Sequence, residues 1–372
     1  MPEDRVLVTM SGGVDSSVAA ALLKQKGYKV MGITMKIWNG EIDSGDNPEN
    51  VCFGPKDIED ARKAADKLNI PLEVINLREE YKSKVLNYFY NEYLSGRTPN
   101  PCVVCNKRIK LGALIEKAKE SGIEFDYVAT GHYVRKGYDE KRKRYLLRKA
   151  KDRSKDQTYF LYTLSQNQIK TCLFPIGEYT KEEVRKKARE LHLPIAEKSE
   201  SQDFITGDFA SFFGGSAKPG PIMDRRGEIL GEHRGIQYYT IGQRRGLGVA
   251  VGKPLYVIEI QKKRNAIIVG LKEDLFKKGL IAKGMNWIAI ERLKEPIKVK
   301  AKIRAQHKEA ESLVSLLDED KVSVTFKKPQ NAITPGQAVV FYDEDIVVGG
   351  GTIEKGILNY DKESSSDEIR NR

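Results

Sequence analysis

The chain has 372 residues, enough to bury a sizeable core and to divide into two or three domains. Its 64 Lys and Arg against 52 Asp and Glu give a formal charge of +12, which points to a polyanion such as nucleic acid or to a solvated lysine-rich surface. No apolar run is long enough to span a bilayer, Met1-Pro2-Glu3-Asp4 has no signal-peptide character, and four cysteines (Cys52, Cys102, Cys105, Cys172) make no disulfide scaffold, so a cytoplasmic protein with reduced thiols is expected.

In chain order, the β-forming run Arg5 to Thr9 leads through Met10 into Ser11-Gly12-Gly13-Val14-Asp15-Ser16-Ser17 and then an alanine-rich segment, Val18 to Lys26. This reads as strand, tight loop and helix. The glycines let backbone N–H groups turn towards an oxyanion at the positive end of the helix. Ser11, Ser16 and Ser17 add hydroxyls, and Asp15 suits a magnesium ion between carboxylate and phosphate. Neither the Walker nor the Rossmann glycine pattern fits. Gly27 stops the helix, Tyr28 to Met35 reads as a second strand, and Trp38 to Pro55 is a long polar loop containing Cys52. A helix carrying Ile58, Ala61, Ala65 and Leu68 precedes a strand at Leu72 to Leu77. Alternating strand and helix predicts a parallel sheet covered on both faces.

A helix over Glu79 to Leu94 ends at Ser95-Gly96, and Arg97-Thr98-Pro99-Asn100-Pro101-Cys102-Val103-Val104-Cys105-Asn106-Lys107-Arg108 follows. The next helix buries Ile109, Leu111, Leu114 and Ile115. Cys105 stands near its start beside Lys107, Arg108 and Lys110, two features that favour a thiolate. Tyr127 to Thr130 is a buried strand ending at Gly131-His132-Tyr133, where open α/β sheets bind ligands; His132 reads as a catalytic residue or, by preference, as one that only hydrogen-bonds in that cleft. Arg153 to Thr158 is a polar loop that reads either as a plain surface loop or as one in which Lys155 and Gln157 bind phosphate or sugar. Cys172 reads as packing within a helical stretch. Beyond Ser199 strands replace helices: a hairpin at Leu255 to Ile260 and Ala266 to Val269, then strands at Ile297 to Arg304, Val322 to Phe326, Ala338 to Tyr342 and Ile346 to Val348. The expected division is 1–200, an α/β nucleotide-binding domain; 201–284, a small β-rich domain; 285–360, a β-barrel; and 361–372, a polar tail.

The loop Ser11 to Ser16 resembles the pyrophosphate (PP) loop of ATP pyrophosphatases, which split ATP between its α- and β-phosphates. Further motifs narrow the resemblance: Gly96 to Pro101 with Cys105-Asn106-Lys107, Ala129 to Tyr133, Lys155-Asp156-Gln157, Ser201-Gln202-Asp203, Pro219-Gly220-Pro221, His233 with Tyr239 to Arg244, and Thr334-Pro335-Gly336-Gln337. Over nearly its whole length the chain resembles the tRNA-specific 2-thiouridylase (MnmA/TrmU) family. The resemblance implies an adenine-nucleotide α-hydrolase-like sheet domain followed by two β-domains, and thiolation of the wobble uridine of tRNAs for Lys, Glu and Gln. ATP, with Mg²⁺ on Asp15, would adenylate the uridine 2-oxygen, and a persulfide sulfur would then replace it. By the same resemblance Thr9, Met10, Ser11, Gly12, Gly13, Val14, Asp15, Ser16, Met35 and Gly131 hold ATP. Asn100, Pro101 and Cys102 touch the target base, Lys155, Asp156 and Gln157 touch tRNA, and Cys105 carries the nucleophile. The barrel's tRNA contact, of Arg-Tyr type in the family, falls on Arg304 and Ala305, so only its arginine half is kept here. A cysteine desulfurase or a persulfide relay protein would supply sulfur.

Two positions depart from the family pattern. Cys102 stands where many members have Asp, which creates a Cys-x-x-Cys. The persulfide cysteine that follows Ser-Gln-Asp-x in the family is missing from Ser201-Gln202-Asp203-Phe204-Ile205-Thr206. Three chemistries fill the gap: exchange between Cys102 and Cys105, a 4Fe–4S cluster on Cys52, Cys102 and Cys105, or an external sulfide donor. A zinc site lacks a second ligand pair. Another PP-loop adenylating enzyme of the amidating-synthetase type would explain the loop but not Cys105, and a non-catalytic tRNA-binding protein would leave Asp15 idle.

Overall fold

The computed structural model describes residues 4–37, 53–199, 213 and 217–358. Cys52, Ser201-Gln202-Asp203 and the polar tail 361–372 lie outside the described residues. The first unit alternates β1 (Arg5–Thr9), α1 (Val14–Gln25), β2 (Lys29–Lys36), α2 (Pro55–Leu68) and β3 (Leu72–Asn76), as its sequence pattern predicts. A long helical stretch follows: α3 (Arg78–Tyr81), a π-helical turn at Lys82–Leu86, then α4 (Asn87–Leu94). After it, α5 (Pro101–Cys105) runs through a π-helical segment, Asn106–Ala113, into α6 (Leu114–Glu120). Next come β4 (Tyr127–Thr130), the hairpin β5 (Val134–Asp139) and β6 (Arg144–Lys149), α7 (Gln166–Thr171), β7 (Cys172–Leu173) and α8 (Lys181–Glu190).

The sheet runs β3-β2-β1-β4-β7, with every neighbouring pair parallel. Parallel strands are buried on both faces, which is why β1 reads as a continuous apolar run. Successive side chains alternate between faces. Val6, Val8 and Met10 pack with Val18, Ala19 and Leu22 of α1 and with Ala61, Ala64 and Ala65 of α2. Leu7, Ile33 and Met35 pack on the other face with Val85, Ile109 and Leu114. Cys172 is buried as the packing reading expects, but it stands in a strand rather than a helix, paired with Val128 of β4. The capping box of Ser165 and Gln168 starts α7, and the chain is already extended at Cys172.

The second unit is a sheet ordered β10-β11-β8-β9, from β8 (Gly220–Met223), β9 (Ile229–His233), β10 (Tyr256–Gln261) and β11 (Ala266–Gly270). The third comprises β12 (Phe276–Trp287), β13 (Ile297–Lys302), β14 (Ala310–Leu316), β15 (Lys321–Asn331), β16 (Ala338–Asp343) and β17 (Ile346–Ile357). These close as a barrel in the order β12-β15-β14-β13-β16-β17, with β17 returning to β12. A continuous strand, β12, thus runs through residue 284. The last strand continues well past Val348 because Gly349, Gly350 and Gly351 sit where added side chains would strike Asn286, Val339 and Met285. At this glycine run the neighbouring segments pass too close for side chains. The β5–β6 hairpin joins this same sheet by pairing Arg148 with Ile346.

Candidate active site

The strand order puts the reversal point at β1, whose C-terminal end lies between those of β2 and β4. Ligands of open α/β sheets bind at such an end. The Thr9 hydroxyl donates to the Ala129 carbonyl at 3.3 Å. Met10 is fully buried, and its N–H donates to the Ile33 carbonyl at 2.8 Å. The chain turns at Gly12, at φ +71°, where a side chain would collide with the Asp57 carbonyl. Gly13 caps α1 without any side-chain acceptor. Ser16 Oγ accepts from the Ser11 N–H at 3.2 Å, while the Ser16 and Ser17 hydroxyls both donate to the Gly13 carbonyl. The loop is therefore braced by its own serines, and the helix dipole leaves its positive end for an anion.

Gly131 lies against this loop. A Cβ there would come within 2.5 Å of the Ser16 nitrogen, so the end of β4 and the start of α1 touch through backbone. His132 next to it bonds Thr130 Oγ1 through Nδ1 at 2.8 Å. Burial, with a smaller contribution from Lys110, lowers its pKa to about 3, so the imidazole is neutral at ordinary pH. This matches the reading of His132 as a hydrogen-bonding cleft residue.

Asp15 points into a network that the sequence does not disclose. Its Oδ1 and Oδ2 accept from Lys181 Nζ at 2.8 and 2.7 Å, and Oδ1 also accepts from the Tyr133 hydroxyl at 2.8 Å. Lys181 opens α8 behind the Thr180–Glu183 capping box, 166 residues from Asp15. Only that capping box is legible in the sequence. Oδ2 accepts from Lys181 alone among the described residues, which leaves a lone pair for a magnesium ion arriving with phosphates. That one-carboxylate role is usual for magnesium. Lys198 braces the loop from the other side, donating to the Gly12 carbonyl at 3.2 Å, to Asp57 at 2.8 Å and to Asp60 at 2.5 Å. Burial works to lower the Lys198 pKa, but the hydrogen bonds to the two carboxylates outweigh it and hold the ammonium above its ordinary value.

The second arm of the site is α5. Asn100 is its N-cap, accepting from the Val103 N–H at 3.4 Å, and Pro101 occupies the first turn, where a missing N–H costs nothing. Cys102 is exposed and Cys105 buried. Crowding by protein atoms nonetheless pushes the Cys102 thiol up, against the pull of Lys110. Cys105 lies near the start of the helical stretch that begins at Pro101, but its side chain is buried rather than open. It ends α5 inside the apolar cluster of Leu7, Met35 and Ile109, while Lys107 and Arg108 are exposed. Met35 is fully buried in that cluster, which joins the nucleotide loop's sheet to the cysteine helix. Asn106 is also buried, donating to the Phe160 carbonyl at 3.3 Å. Among the described residues, no group of three His, Cys, Asp or Glu could hold a metal ion. Cys102 and Cys105 supply two thiols, and Cys52 lies outside the described set.

The remaining candidates brace the chain. Asp156 accepts from the Ala150 N–H at 3.1 Å and the Thr158 hydroxyl at 2.6 Å. Gln157 accepts from the Tyr133 N–H at 2.9 Å. The Lys155 N–H donates to the Asp152 carbonyl. Arg304 is half-buried on the barrel and donates to the Asn331 carbonyl at 3.0 Å; Ala305 packs against the cluster of Val103 and Tyr159.

Residues 4–206 match the family described as tRNA methyl transferase HUP domain, 210–271 the tRNA methyl transferase PRC-barrel domain, and 277–353 the aminomethyltransferase beta-barrel domain. Among curated relatives, a tRNA-specific 2-thiouridylase of Thermoanaerobacter sp. is 52% identical over 95% of this chain and 98% of its own. Relatives of the same name from Acetivibrio thermocellus and Clostridioides difficile are 48% and 49% identical, each over 95% of this chain and 100% and 99% of theirs. With its PP-loop sheet, cysteine helix and closed barrel in one chain, the protein belongs to the tRNA-specific 2-thiouridylase family.

Proposed function

We propose that this protein is an ATP-dependent tRNA sulfurtransferase that thiolates the 2-position of the wobble uridine in tRNAs for Lys, Glu and Gln. One observation carries the reading: the sheet that ends in the PP-loop and the helix that carries Cys102 and Cys105 share a single apolar cluster through Leu7, Met35 and Cys105. Nucleotide and thiols are thus presented together. The loop N–H groups and the α1 dipole hold the phosphates, and Lys181 stands ready to balance charge on the leaving pyrophosphate. A magnesium ion on Asp15 would add Lewis-acid stabilisation of the same charge.

Sulfur transfer follows from the different exposure of the two thiols. Residues three apart on a helix are neighbours. A sulfur donor protein, a desulfurase or persulfide relay, transfers a sulfane sulfur to exposed Cys102, and the donor leaves as its thiol. The terminal sulfur attacks C2 of the adenylated uridine, and AMP departs with the oxygen. Cys105 then attacks the Cys102 sulfur, which breaks the bond to the transferred sulfur and leaves it on the base. The resulting Cys102–Cys105 disulfide is reset by an external dithiol. A cluster on Cys52, Cys102 and Cys105 would depend on a residue outside the described set.

The test measures pyrophosphate release and 2-thiouridine separately, with tRNA and a persulfide donor. Cys105→Ser is expected to abolish 2-thiouridine while tRNA-dependent pyrophosphate release continues. Asp15→Ala is expected to reduce pyrophosphate release by ~10²–10³, the scale of one pre-organised electrostatic contact. Wild-type protein whose pyrophosphate release ignores tRNA would overturn the reading.

A further inference from the structure

The motifs Gly96 to Pro99 and Thr334 to Gln337 have no chemistry of their own, yet they meet. Gln337 Nε2 donates to the carbonyls of both Thr98 and Pro99, each at 3.0 Å. The Thr98 N–H donates back to the Pro335 carbonyl at 2.9 Å. Gly336, at φ +93°, is so close that a Cβ would lie 2.8 Å from the Thr98 carbonyl oxygen. The grip is anchored in the barrel: the Gly336 N–H donates to the Ile353 carbonyl at 2.9 Å, and the Ile353 N–H to the Gln337 carbonyl at 2.8 Å. The connection between β9 and β10 adds its own contact, with Thr240 Oγ1 at 3.1 Å from Thr98 Oγ1. The next residue after Pro99 is Asn100, which caps the helix carrying Cys102 and Cys105.

We propose that Gln337 is a positioning residue for sulfur transfer: the barrel holds the backbone of Thr98 and Pro99 so that Asn100 caps α5 and aims both thiols at the base. This role rests on the function proposed above and extends it to the barrel. Two carbonyls facing one amide fix both the position and the direction of the entering chain, since neither can turn without losing its donor. Buried Pro99 transmits this to Asn100 because its ring removes the φ freedom that would absorb a shift. Tyr159, whose hydroxyl donates to the Ala338 carbonyl at 2.9 Å, shares one apolar cluster with Val103 of α5, so the barrel strand next to Gln337 is tied to this helix as well. Displacements of about 1 Å at a reacting group can reduce rate ~10²-fold.

The experiment compares wild type with Gln337→Ala and with Gln337→Glu, which keeps the shape but sets a carboxylate against two carbonyls. Amide hydrogen exchange of Val103 to Cys105 is measured on the full-length protein without substrates, together with thermal unfolding and steady-state thiolation. Expected are exchange at those amides at least ~10-fold faster, thiolation kcat lower by ~10–10² with Glu worse than Ala, and an unchanged KM for ATP. Exchange and kcat within twofold of wild type would overturn the proposal. So would faster exchange spread evenly over the barrel with a lowered Tm, since that is loss of stability rather than of aim. If wild type itself thiolates no tRNA, the proposed function fails, and the substrate-free exchange measurement alone decides the clamp.

Discussion

Asp15 shows how much a residue's chemistry depends on neighbours it does not have in sequence. Alone it is a carboxylate beside a phosphate loop; in the fold it is held by Lys181 and Tyr133. His132 is the complementary case, a histidine whose burial removes its charge. Its folded pKa is depressed to about 3 from the ordinary 6.5, so the unfolded chain binds more protons between these values. The stability it contributes is complete above about pH 6.5 and is lost progressively as pH falls towards 3. His132→Asn, which keeps a hydrogen-bonding side chain but cannot titrate, is expected to flatten the pH dependence of Tm in that window. An unchanged slope would show that other groups carry the acid sensitivity.

At the scale of elements, glycines and caps determine how closely segments approach. Gly131 lets the end of β4 lie on the first turn of α1, because the Ser16 backbone fills the space that a Cβ would need. Gly131→Ala is expected to part the two elements at their phosphate-binding ends. ATP affinity should then fall by ~10-fold or more and stability by about 1–3 kcal/mol, the range for overpacking a tight contact. Isothermal titration with ATP and a denaturant melt check this; wild-type affinity would mean that the contact yields without moving the loop. The same reasoning explains β17, where Gly349, Gly350 and Gly351 permit the close approach that closes the barrel.

For the whole molecule, the units are not independent. Barrel residues Ala338, Val340, Tyr342 and Val347 share one core with Val128, Val134, Leu147 and Tyr159 of the first unit. Fully burying one such side chain is worth roughly 1.5–3 kcal/mol, while domains are stable by about 5–15 kcal/mol in total. Removing residues after Gly284 would uncover that core, so the truncated protein is expected to aggregate and lose ATP binding along with tRNA binding. Calorimetry of the full chain should show one cooperative transition for the first unit and barrel. A soluble truncation with wild-type ATP affinity would refute the shared core.

The local content of this protein was legible in its residues. Strand–glycine loop–helix at Arg5 to Gln25, the alternation that makes a parallel sheet, and the change to strands beyond Ser199 all depend on near-neighbour patterns of polarity and turn chemistry. The β5–β6 hairpin and β14 escaped because short strands with charged faces carry little periodicity, and the longer β12 because lysines and two glycines interrupt its apolar pattern; all gain their order from pairing partners. The site divides in the same way. Its loop, Asn100 and both cysteines of α5 stand out by residue type and spacing. The meeting of Lys181 with Asp15, of Gln337 with Thr98 and Pro99, and the burial of Cys105 arise from long-range packing, and only the tertiary structure decides which distant groups share a hydrogen bond or lose their water.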